Sequence, residues 1–340
     1  MSERKLRVGV AGATGAVGRQ IVELLQEADL PIGAIVPMAS PACTVDHLEI
    51  GGRHVRVENL LVEHIQTCDV LVCAVPPKAA VGALRSAREA GVPAVDLSGT
   101  LGPRQGVPLV VPAVGRAALH EIRDVLAVAS PQPDVVALTT LLAPLLAGGG
   151  NLGVRGTVMH SAAAMGRAGV EELSNQVVSL FNSRSPTRKV FPQGLAFDVL
   201  PSLGEPAVEG WTADERRCAE QSAALLGLQP DQVVLSSLVG PWFNGLCLAL
   251  QIEPEPALDA EGVRALLAGA PGITLTGALA RELPHPRGVD GSAALHVGRL
   301  RDDPGGRCVH LWAVADELRF GAAANVVAIL AALIEDDLLG

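Results

Sequence analysis

The feature that most constrains the fold is a glycine-rich turn between an apolar segment and an amphipathic one near the start of the chain. Residues 6–11 form a short apolar run, and residues 19–28 have the apolar spacing of a helix. Between them Gly12, Gly15 and Gly18 let the backbone approach a pyrophosphate, whose charge the N–H groups at the helix start would attract. This order predicts a Rossmann-type domain, with its dinucleotide site either working or lost.

The rest of the chain shows two different patterns of predicted secondary structure. Up to about residue 130, short strands alternate with helices, which predicts a mostly parallel sheet with right-handed crossovers. The expected strands are 6–11, 32–36, 70–75, 93–97 and 125–128, and the expected helices between them include 78–90 and 114–121.

Later, long strands mix with helices, which favours an α+β second domain whose sheet face buries against a partner subunit. Its expected elements are strands 153–160 and 245–252 and helices 170–181 and 213–226. The last helix, 321–334, is expected to return to the first domain. We therefore expect a Rossmann-type domain formed by residues 1–128 with 321–340, and an α+β substrate and dimerisation domain formed by residues 129–320.

Composition excludes several classes of function. The formal net charge of −10 and an aromatic content of 2% disfavour nucleic-acid binding, because phosphates would be repelled and stacking platforms are scarce. No apolar run is long enough to suggest a membrane span or a signal peptide. The six cysteines are scattered without CxxC spacing, so we expect free thiols in a reducing cytoplasm and no metal site.

Many separate segments, in order, resemble aspartate-semialdehyde dehydrogenases and in particular their usg-type members, whose role is not established. The matching segments are 10–19, 107–112, 166–173, 196–201, 243–245, 297–301 and 312–325. The resemblance covers nearly the whole chain and implies that family's fold. It also implies its reaction, the NADPH-dependent reductive dephosphorylation of an aspartyl phosphate. There a cysteine thiolate attacks the acyl carbon, phosphate leaves, and hydride reduces the thioester, with a histidine as base.

The residues that this chemistry requires are replaced at the matching positions. Pro133 stands at the nucleophile position, and proline offers neither a side-chain heteroatom nor a backbone N–H. Leu246 stands where the family has the histidine base, and His160 where it has a glutamine. Further replacements are Val239 for the carboxylate-binding arginine, Gly102 for the phosphate-binding arginine with Arg104 two positions away, and Ala163-Ala164 for a Ser-Gly pair. We expect no catalytic residues.

Two cysteines and one histidine are the candidates for a substitute group. Cys247 follows Leu246 in a strand and should face the opposite side of the sheet. We interpret Cys247 and Cys73 as small buried hydrophobic residues. His160, without a nucleophile beside it, is interpreted as a hydrogen-bonded part of the scaffold rather than a catalyst.

The same resemblance implies a cofactor site of which about half is preserved in this sequence. The residues that match are Gly12, Thr14, Gly15, Ala16, Val17, Gly18 and Asn325, the last near the nicotinamide amide. Ala42 stands in place of the arginine that reads the NADP phosphate, and no acidic residue ends the second strand to hold the ribose of NAD. Val75-Pro76-Pro77 replaces an Ala-Gly-Gly turn and restricts backbone approach. Binding of NADP or NAD is therefore expected to be weak or lost.

These observations favour a catalytically silent homodimer that serves as a scaffold, partner or ligand sensor for an unknown small ligand or protein partner. Two alternatives stay open at this point. One is an NAD(P)-dependent oxidoreductase of aldehyde or oxo groups that works without covalent catalysis. The other is an active family enzyme with a displaced nucleophile such as Cys247.

Overall fold

The computed structural model describes residues 5–201 and 210–339, which form two compact units. The first unit comprises residues 1–132 and 322–340, and the second comprises residues 133–321. Within residues 5–201 and 210–339, none of the helices has the length and hydrophobicity that spanning a bilayer requires.

The first unit is built around a six-stranded parallel sheet, as the alternating pattern predicts. Its strands lie in the order β5-β2-β1-β6-β7-β8, and every neighbouring pair is parallel. The strands are β1 (Leu6–Ala11), β2 (Ile32–Ala39), β3 (His47–Ile50), β4 (Arg53–Arg56), β5 (Glu58–Asn59), β6 (Val70–Cys73), β7 (Ala94–Asp96) and β8 (Ala127–Ala129). The helices are α1 (Ala16–Glu27), α2 (Val62–Ile65), α3 (Pro77–Glu89), α4 (Ile122–Val125) and, from the end of the chain, α9 (Asn325–Glu335).

Alternating side chains of the strands supply two separate cores, one on each face of this sheet. Val8, Val10 and Val72 pack with apolar residues of α1 and α9. Leu71 and Cys73 point to the other face and pack with apolar residues of α2 and α3. Both faces are covered, which is the arrangement that parallel sheets require and which explains the nearly continuous apolar strands.

One predicted helix of the first unit is wrong in its bounds. The expected helix 114–121 is a turn followed by a 3-10 helix, Ala117–Glu121, and the short α4. Val114 and Gly115 donate their N–H groups to the carbonyl of Val111, so the chain is still turning where the helix was expected to begin.

The second unit is α+β, with a mixed six-stranded sheet in the order β10-β9-β11-β14-β13-β12. Its strands are β9 (Asn151–His160), β10 (Val233–Val239), β11 (Leu246–Glu255), β12 (Ile273–Leu275), β13 (Leu295–Asp302) and β14 (Val309–Ala315). Its helices are α5 (Pro133–Leu146), α6 (Gly166–Phe181), α7 (Ala213–Leu226) and α8 (Ala260–Leu267). Strand β11 alternates buried leucines with less buried residues, so one face of the sheet lies under helices and the other is more open.

Candidate functional site

Pro133, the residue expected at the nucleophile position, is the first residue of α5, and its ring packs against Gly321. A Cβ built on Gly321 would clash with the Cβ of Pro133, so the proline ring lies directly over that glycine. From Asp134 to Leu142 every residue of α5 is buried. Pro133 itself is half-buried, and it offers no thiol or hydroxyl at this position.

Asp134, the next residue, forms a buried ion pair that the sequence analysis missed. Its two carboxylate oxygens accept hydrogen bonds from Nη1 and Nη2 of Arg217 at 3.4 and 3.2 Å. Asp134 is 1% exposed, and burial alone would raise its pKa. The charges of Arg217 and His160 outweigh burial and hold the pKa of Asp134 below its usual value. The carboxylate is therefore ionised and engaged with the guanidinium of Arg217.

His160 lies at the end of β9 in a second buried pair. Its Nδ1 is 3.3 Å from Oε1 of Glu317, and both side chains are about 5% exposed or less. Ser161 donates from Oγ to the other oxygen of Glu317 at 2.6 Å. Burial would lower the pKa of His160, but the hydrogen bond and charge of Glu317, with the charge of Asp134, raise it.

The four charged groups form one buried cluster, which we call the buried quartet: Asp134, His160, Arg217 and Glu317. With His160 protonated, the two cations balance the two carboxylates. Nε2 of His160 is buried as well, and it has no hydrogen-bond partner within the described residues. His160 is thus hydrogen-bonded inside the scaffold, as interpreted from the sequence, and it keeps one unused nitrogen.

The residues expected at the positions of the base and of the carboxylate-binding arginine are apolar and buried. Leu246 is 0% exposed and opens β11, where it is paired with Ala315 of β14. Val239, at the end of β10, is also buried and pairs with Leu200. Neither position offers a group that accepts a proton or binds a carboxylate.

The candidate replacement thiols are buried. Cys247 is 2% exposed and packs with Val289 and Val314, in a cluster that does not contain Leu246. Burial, with a smaller effect of Glu317, raises the pKa of Cys247 to about 12. Burial and the Asp96 carboxylate raise the pKa of Cys73 to about 12 as well. At neutral pH both are thiols, and the thiolate is the nucleophilic form.

The glycine turn in the first unit has the geometry of a pyrophosphate cradle. Gly12 has a φ of +85°, and Gly15 donates its N–H to the Gly12 carbonyl at 2.9 Å. A Cβ on Gly18 would clash with the same carbonyl. Helix α1 begins at Ala16 with no side chain capping its N-terminus. The backbone around Thr14, Gly15, Ala16 and Val17 therefore fits a phosphate group.

Asn325 has a structural role that the sequence did not reveal. It is buried at the start of α9, and its Nδ2 donates to the Val110 carbonyl at 3.1 Å and to Ser130 Oγ at 2.8 Å. Both hydrogens of its amide group are thus used within the first unit. Asp96, at the end of β7, was also missed: it is fully buried and accepts hydrogen bonds from Ser98 and from the Leu101 N–H.

Metal chemistry finds no support in the described part of the chain, where no group of three or more His, Cys, Asp or Glu side chains is arranged to hold an ion. The buried quartet does not qualify, because its carboxylates are already paired with cations.

Known proteins resemble this chain along its whole length. Two family models match: the semialdehyde dehydrogenase NAD binding domain over residues 7–122 and the semialdehyde dehydrogenase dimerisation domain over residues 142–320. The USG-1 protein homolog of Azotobacter vinelandii is 34% identical over 332 residues, which cover 96% of this chain and 97% of that protein. Aspartate-semialdehyde dehydrogenase 2 of Vibrio cholerae serotype O1 is 30% identical over 339 residues, with 98% and 99% covered. The crystal structure of aspartate semialdehyde dehydrogenase II from Vibrio cholerae complexed with ASA superposes with a TM-score of 0.91 at 28% identity, covering 98% of this chain and 99% of that one.

Proposed function

The chain belongs to the aspartate-semialdehyde dehydrogenase family, and from this premise we propose that it is a catalytically silent member. The observation that carries the proposal is Pro133 at the nucleophile position, packed on Gly321 with no thiol, hydroxyl or N–H to offer. Without a nucleophile there is no thioester for a hydride to reduce, so the family reaction stops at its first covalent step.

The rest of the site supports the same proposal. A base is absent at Leu246, and a cation for the substrate carboxylate is absent at Val239. The polar groups that are present, the buried quartet, are engaged with one another rather than directed at a substrate. Removing a nucleophile alone leaves an enzyme with residual activity from its binding groups. Here those groups are replaced too, which argues against residual turnover.

A displaced nucleophile is the weaker interpretation. Cys247 and Cys73 are buried thiols whose pKa values are raised to about 12, and Cys218 is fully buried with its pKa raised mainly by burial. Thiolate formation at these positions at neutral pH is negligible.

The dinucleotide domain is the part of the family machinery that this chain keeps. Gly12, Gly15 and Gly18 would let the backbone of the turn approach the pyrophosphate, and Thr14, Ala16 and Val17 would hold it through backbone N–H groups at the N-terminus of α1. A nicotinamide cofactor supplies hydride transfer when bound. In a silent protein the same domain serves as a ligand sensor instead.

We further propose that the protein is a homodimer joined through the open face of the second unit's sheet. The dimerisation domain of the family spans this unit. On the open face Ala249 of β11 lies between Thr157 of β9 and Trp312 of β14. Ala249→Arg places a charge at the centre of this face and is expected to give monomers in sedimentation velocity, while Gln66→Arg in the first unit leaves a dimer. A monomeric wild type contradicts this part of the proposal.

The setting that we propose for this homodimer is the reducing cytoplasm. All six cysteines are free thiols, which supports this setting because persistent disulfides are rare there.

The turnover test runs the family reaction in reverse. Purified protein receives L-aspartate semialdehyde, phosphate and NADP or NAD, and reduced cofactor is followed at 340 nm at high protein concentration. We expect no formation above the protein-free rate. Phosphate-dependent turnover that His160→Ala or Cys247→Ser abolishes would overturn the proposal.

A second candidate function is an oxidoreductase of aldehyde or oxo groups that works without covalent catalysis. The observation that favours it is Nε2 of His160, a buried ring nitrogen without a partner. Hydride transfer from NADH or NADPH to a panel of small aldehydes and 2-oxo acids tests it. Loss of such activity in His160→Gln would support this candidate; absence of any consumption across the panel removes it.

A further inference from the structure

A surface cleft of about 510 Å³ lies in the first unit, just beyond the carboxyl end of β2. Strand β2 ends at Ala39, and the walls come from the turn that follows it, from the β3–β4 hairpin and from β5. The polar residues that line it are Ser40, Cys43, Asp46, His47, Arg56, Glu58 and Asn59.

The cleft lies next to the glycine turn and is joined to it by hydrogen bonds. Cys43, in its wall, donates from Sγ to Thr14 Oγ1 at 3.4 Å. Gly12 and Ala13 both donate their N–H groups to the carbonyl of Met38, next to the end of β2. In a Rossmann fold, a pyrophosphate on such a turn directs the adenosine ribose to the end of the second strand. The cleft is therefore where the ribose of a dinucleotide would lie.

Two carboxylates and one guanidinium line this cleft among the described residues. Strand β5 runs parallel to β2 with Glu58 opposite Met38, so its carboxylate stands beside the end of β2 although it belongs to another strand. His64 Nε2 lies 3.5 Å from Glu58 Oε2 and holds that side chain in place. Asp46 adds the second carboxylate, and Arg56 is the guanidinium. The pairing of β5 with β2 thus places an acidic residue, Glu58, at the end of β2, where the sequence of β2 itself has none.

The charges decide between two forms of the ribose. A carboxylate accepts hydrogen bonds from the 2′- and 3′-hydroxyls, whereas a 2′-phosphate brings negative charge that two carboxylates repel. Arg56 offsets one of the two carboxylates and leaves the balance negative. Ala42, at the matching position of the phosphate-reading arginine, contributes no cation.

We propose that this cleft binds unphosphorylated adenosine ribose, and that the first unit therefore prefers NAD(H) to NADP(H). The inference rests on the proposed function only in taking the glycine turn as the pyrophosphate cradle; it requires no turnover. Asp46 and Glu58 are the residues that set the preference, and Arg56 is the residue that opposes it.

The test uses the full chain with two probes that lack the nicotinamide end: ADP-ribose and 2′-phospho-ADP-ribose. Titration calorimetry at low salt is expected to give about tenfold tighter binding of ADP-ribose than of 2′-phospho-ADP-ribose. The ratio of the two dissociation constants should fall as salt screens the repulsion. Asp46→Asn and Glu58→Gln should each narrow the ratio, and together nearly remove it. Glu49→Gln, an exposed carboxylate of the same hairpin outside the cleft wall, should leave it unchanged. Thermal melting confirms that each variant is folded.

Equal or tighter binding of the phosphorylated probe overturns the proposal, and loss of that binding in Arg56→Ala would identify Arg56 as a phosphate reader instead. Absence of binding by either probe at millimolar concentration also overturns it. Neither result bears on catalytic silence, which the separate turnover assay decides.

Discussion

The glycine turn of the first unit and the buried quartet of the second differ in what holds them in place. The turn consists of backbone in contact with backbone: a Cβ on Gly12 would clash with the Ala74 carbonyl, and one on Gly18 with the Gly12 carbonyl. The fold therefore requires these glycines whether or not a ligand binds. In the quartet the groups meet through side chains, and Pro133 and Leu246, the residues expected at the nucleophile and base positions, begin an intact helix and an intact strand.

This difference explains how one chain keeps the glycine turn of a cofactor site while, as we propose, it lacks the catalytic residues. Glycines that pack the backbone contribute to stability, so their presence alone says little about ligand binding. A catalytic cysteine, histidine or arginine contributes chemistry, and an apolar or ion-paired replacement folds as well. The comparison predicts that substitutions in the turn lower stability because an added side chain clashes with backbone. Substitutions in the quartet should lower stability because a buried charge loses its partner.

The largest effect is expected at Gly12. Gly12→Ala adds a methyl group against the Ala74 carbonyl at a φ of +85° and should lower the free energy of unfolding by about 3–4 kcal/mol. Urea unfolding followed by circular dichroism measures it. The matched control is Gly82→Ala, in α3 with no atom near the added methyl, which should raise stability by about 0.5–1 kcal/mol. A Gly12→Ala variant with the same free energy of unfolding as wild type would contradict this account of the turn.

Asp134→Asn should have the next largest effect. It leaves Arg217, only 25% exposed, without its bidentate partner and should cost about 2–3 kcal/mol. All three tryptophans, Trp211, Trp242 and Trp312, belong to the second unit, so tryptophan fluorescence in urea reports its unfolding. Asp214→Asn, which removes the more exposed partner of the same arginine, should cost less than about 1 kcal/mol. Equal effects of the two substitutions would contradict a buried, charge-dependent site.

The pH dependence of stability is expected to follow His160. Its pKa is raised in the folded protein by Glu317 and Asp134 against the effect of burial. The stabilisation is therefore complete below the unfolded value of about 6.5 and is lost as pH rises through the folded pKa. Arg217, the other charged neighbour, opposes the shift but does not reverse it. The urea midpoint of wild type should fall over this range by tryptophan fluorescence.

His160→Gln is the control for this pH effect, because glutamine does not titrate. Its urea midpoint should change less than that of wild type above pH 6.5. Parallel curves for the two proteins would show that His160 does not carry the effect.

Asp134 affects stability at low pH. Burial would raise the pKa of Asp134, but the charges of Arg217 and His160 lower it. The stability that Asp134 contributes is therefore lost only as pH falls through that lowered pKa.

The smallest effect, with no change in stability expected, is selective thiol labelling. Cys43 is half-buried, and its hydrogen bond to Thr14, with one to the Val45 backbone, lowers its pKa. Brief treatment with iodoacetamide at pH 7.5 and peptide mass spectrometry should find Cys43 labelled first. Cys73, Cys218 and Cys247 should stay unlabelled until the protein is denatured. Early labelling of Cys247 would reopen the displaced-nucleophile interpretation.

Local patterns predicted the fold well because each element is encoded by its own residues. The strand, glycine turn and helix of residues 6–28 and the bounds of α7 follow from apolar spacing. The β3–β4 hairpin was missed although Gly51-Gly52, both at positive φ, is a two-residue turn signal between alternating segments. Helix 114–121 was placed too early because the turn at Val111 competes with the helical pattern.

The buried quartet could not be derived in the same way. Asp134 and Arg217 are 83 residues apart in the chain, and His160 and Glu317 are 157 apart. No local window contains both members of a pair. A partial signal did exist, since Asp316-Glu317 directly follows the apolar strand β14 and Asp134 directly precedes an apolar run that starts at Val135. Acidic residues in such places are buried only where hydrogen-bond donors or a cation meet them, and for Asp134 and Glu317 the structure supplies the cations, Arg217 and His160.

The central claim, that chemistry is absent because several groups are replaced together, is tested most directly by assaying wild type and Pro133→Cys side by side. The measurement is the initial rate of NADPH or NADH formation from L-aspartate semialdehyde, phosphate and oxidised cofactor. We expect neither protein to exceed the protein-free rate, because the cysteine alone would still lack the base at Leu246 and the cation at Val239. Turnover by wild type, or recovery of turnover by the single substitution, would contradict the account.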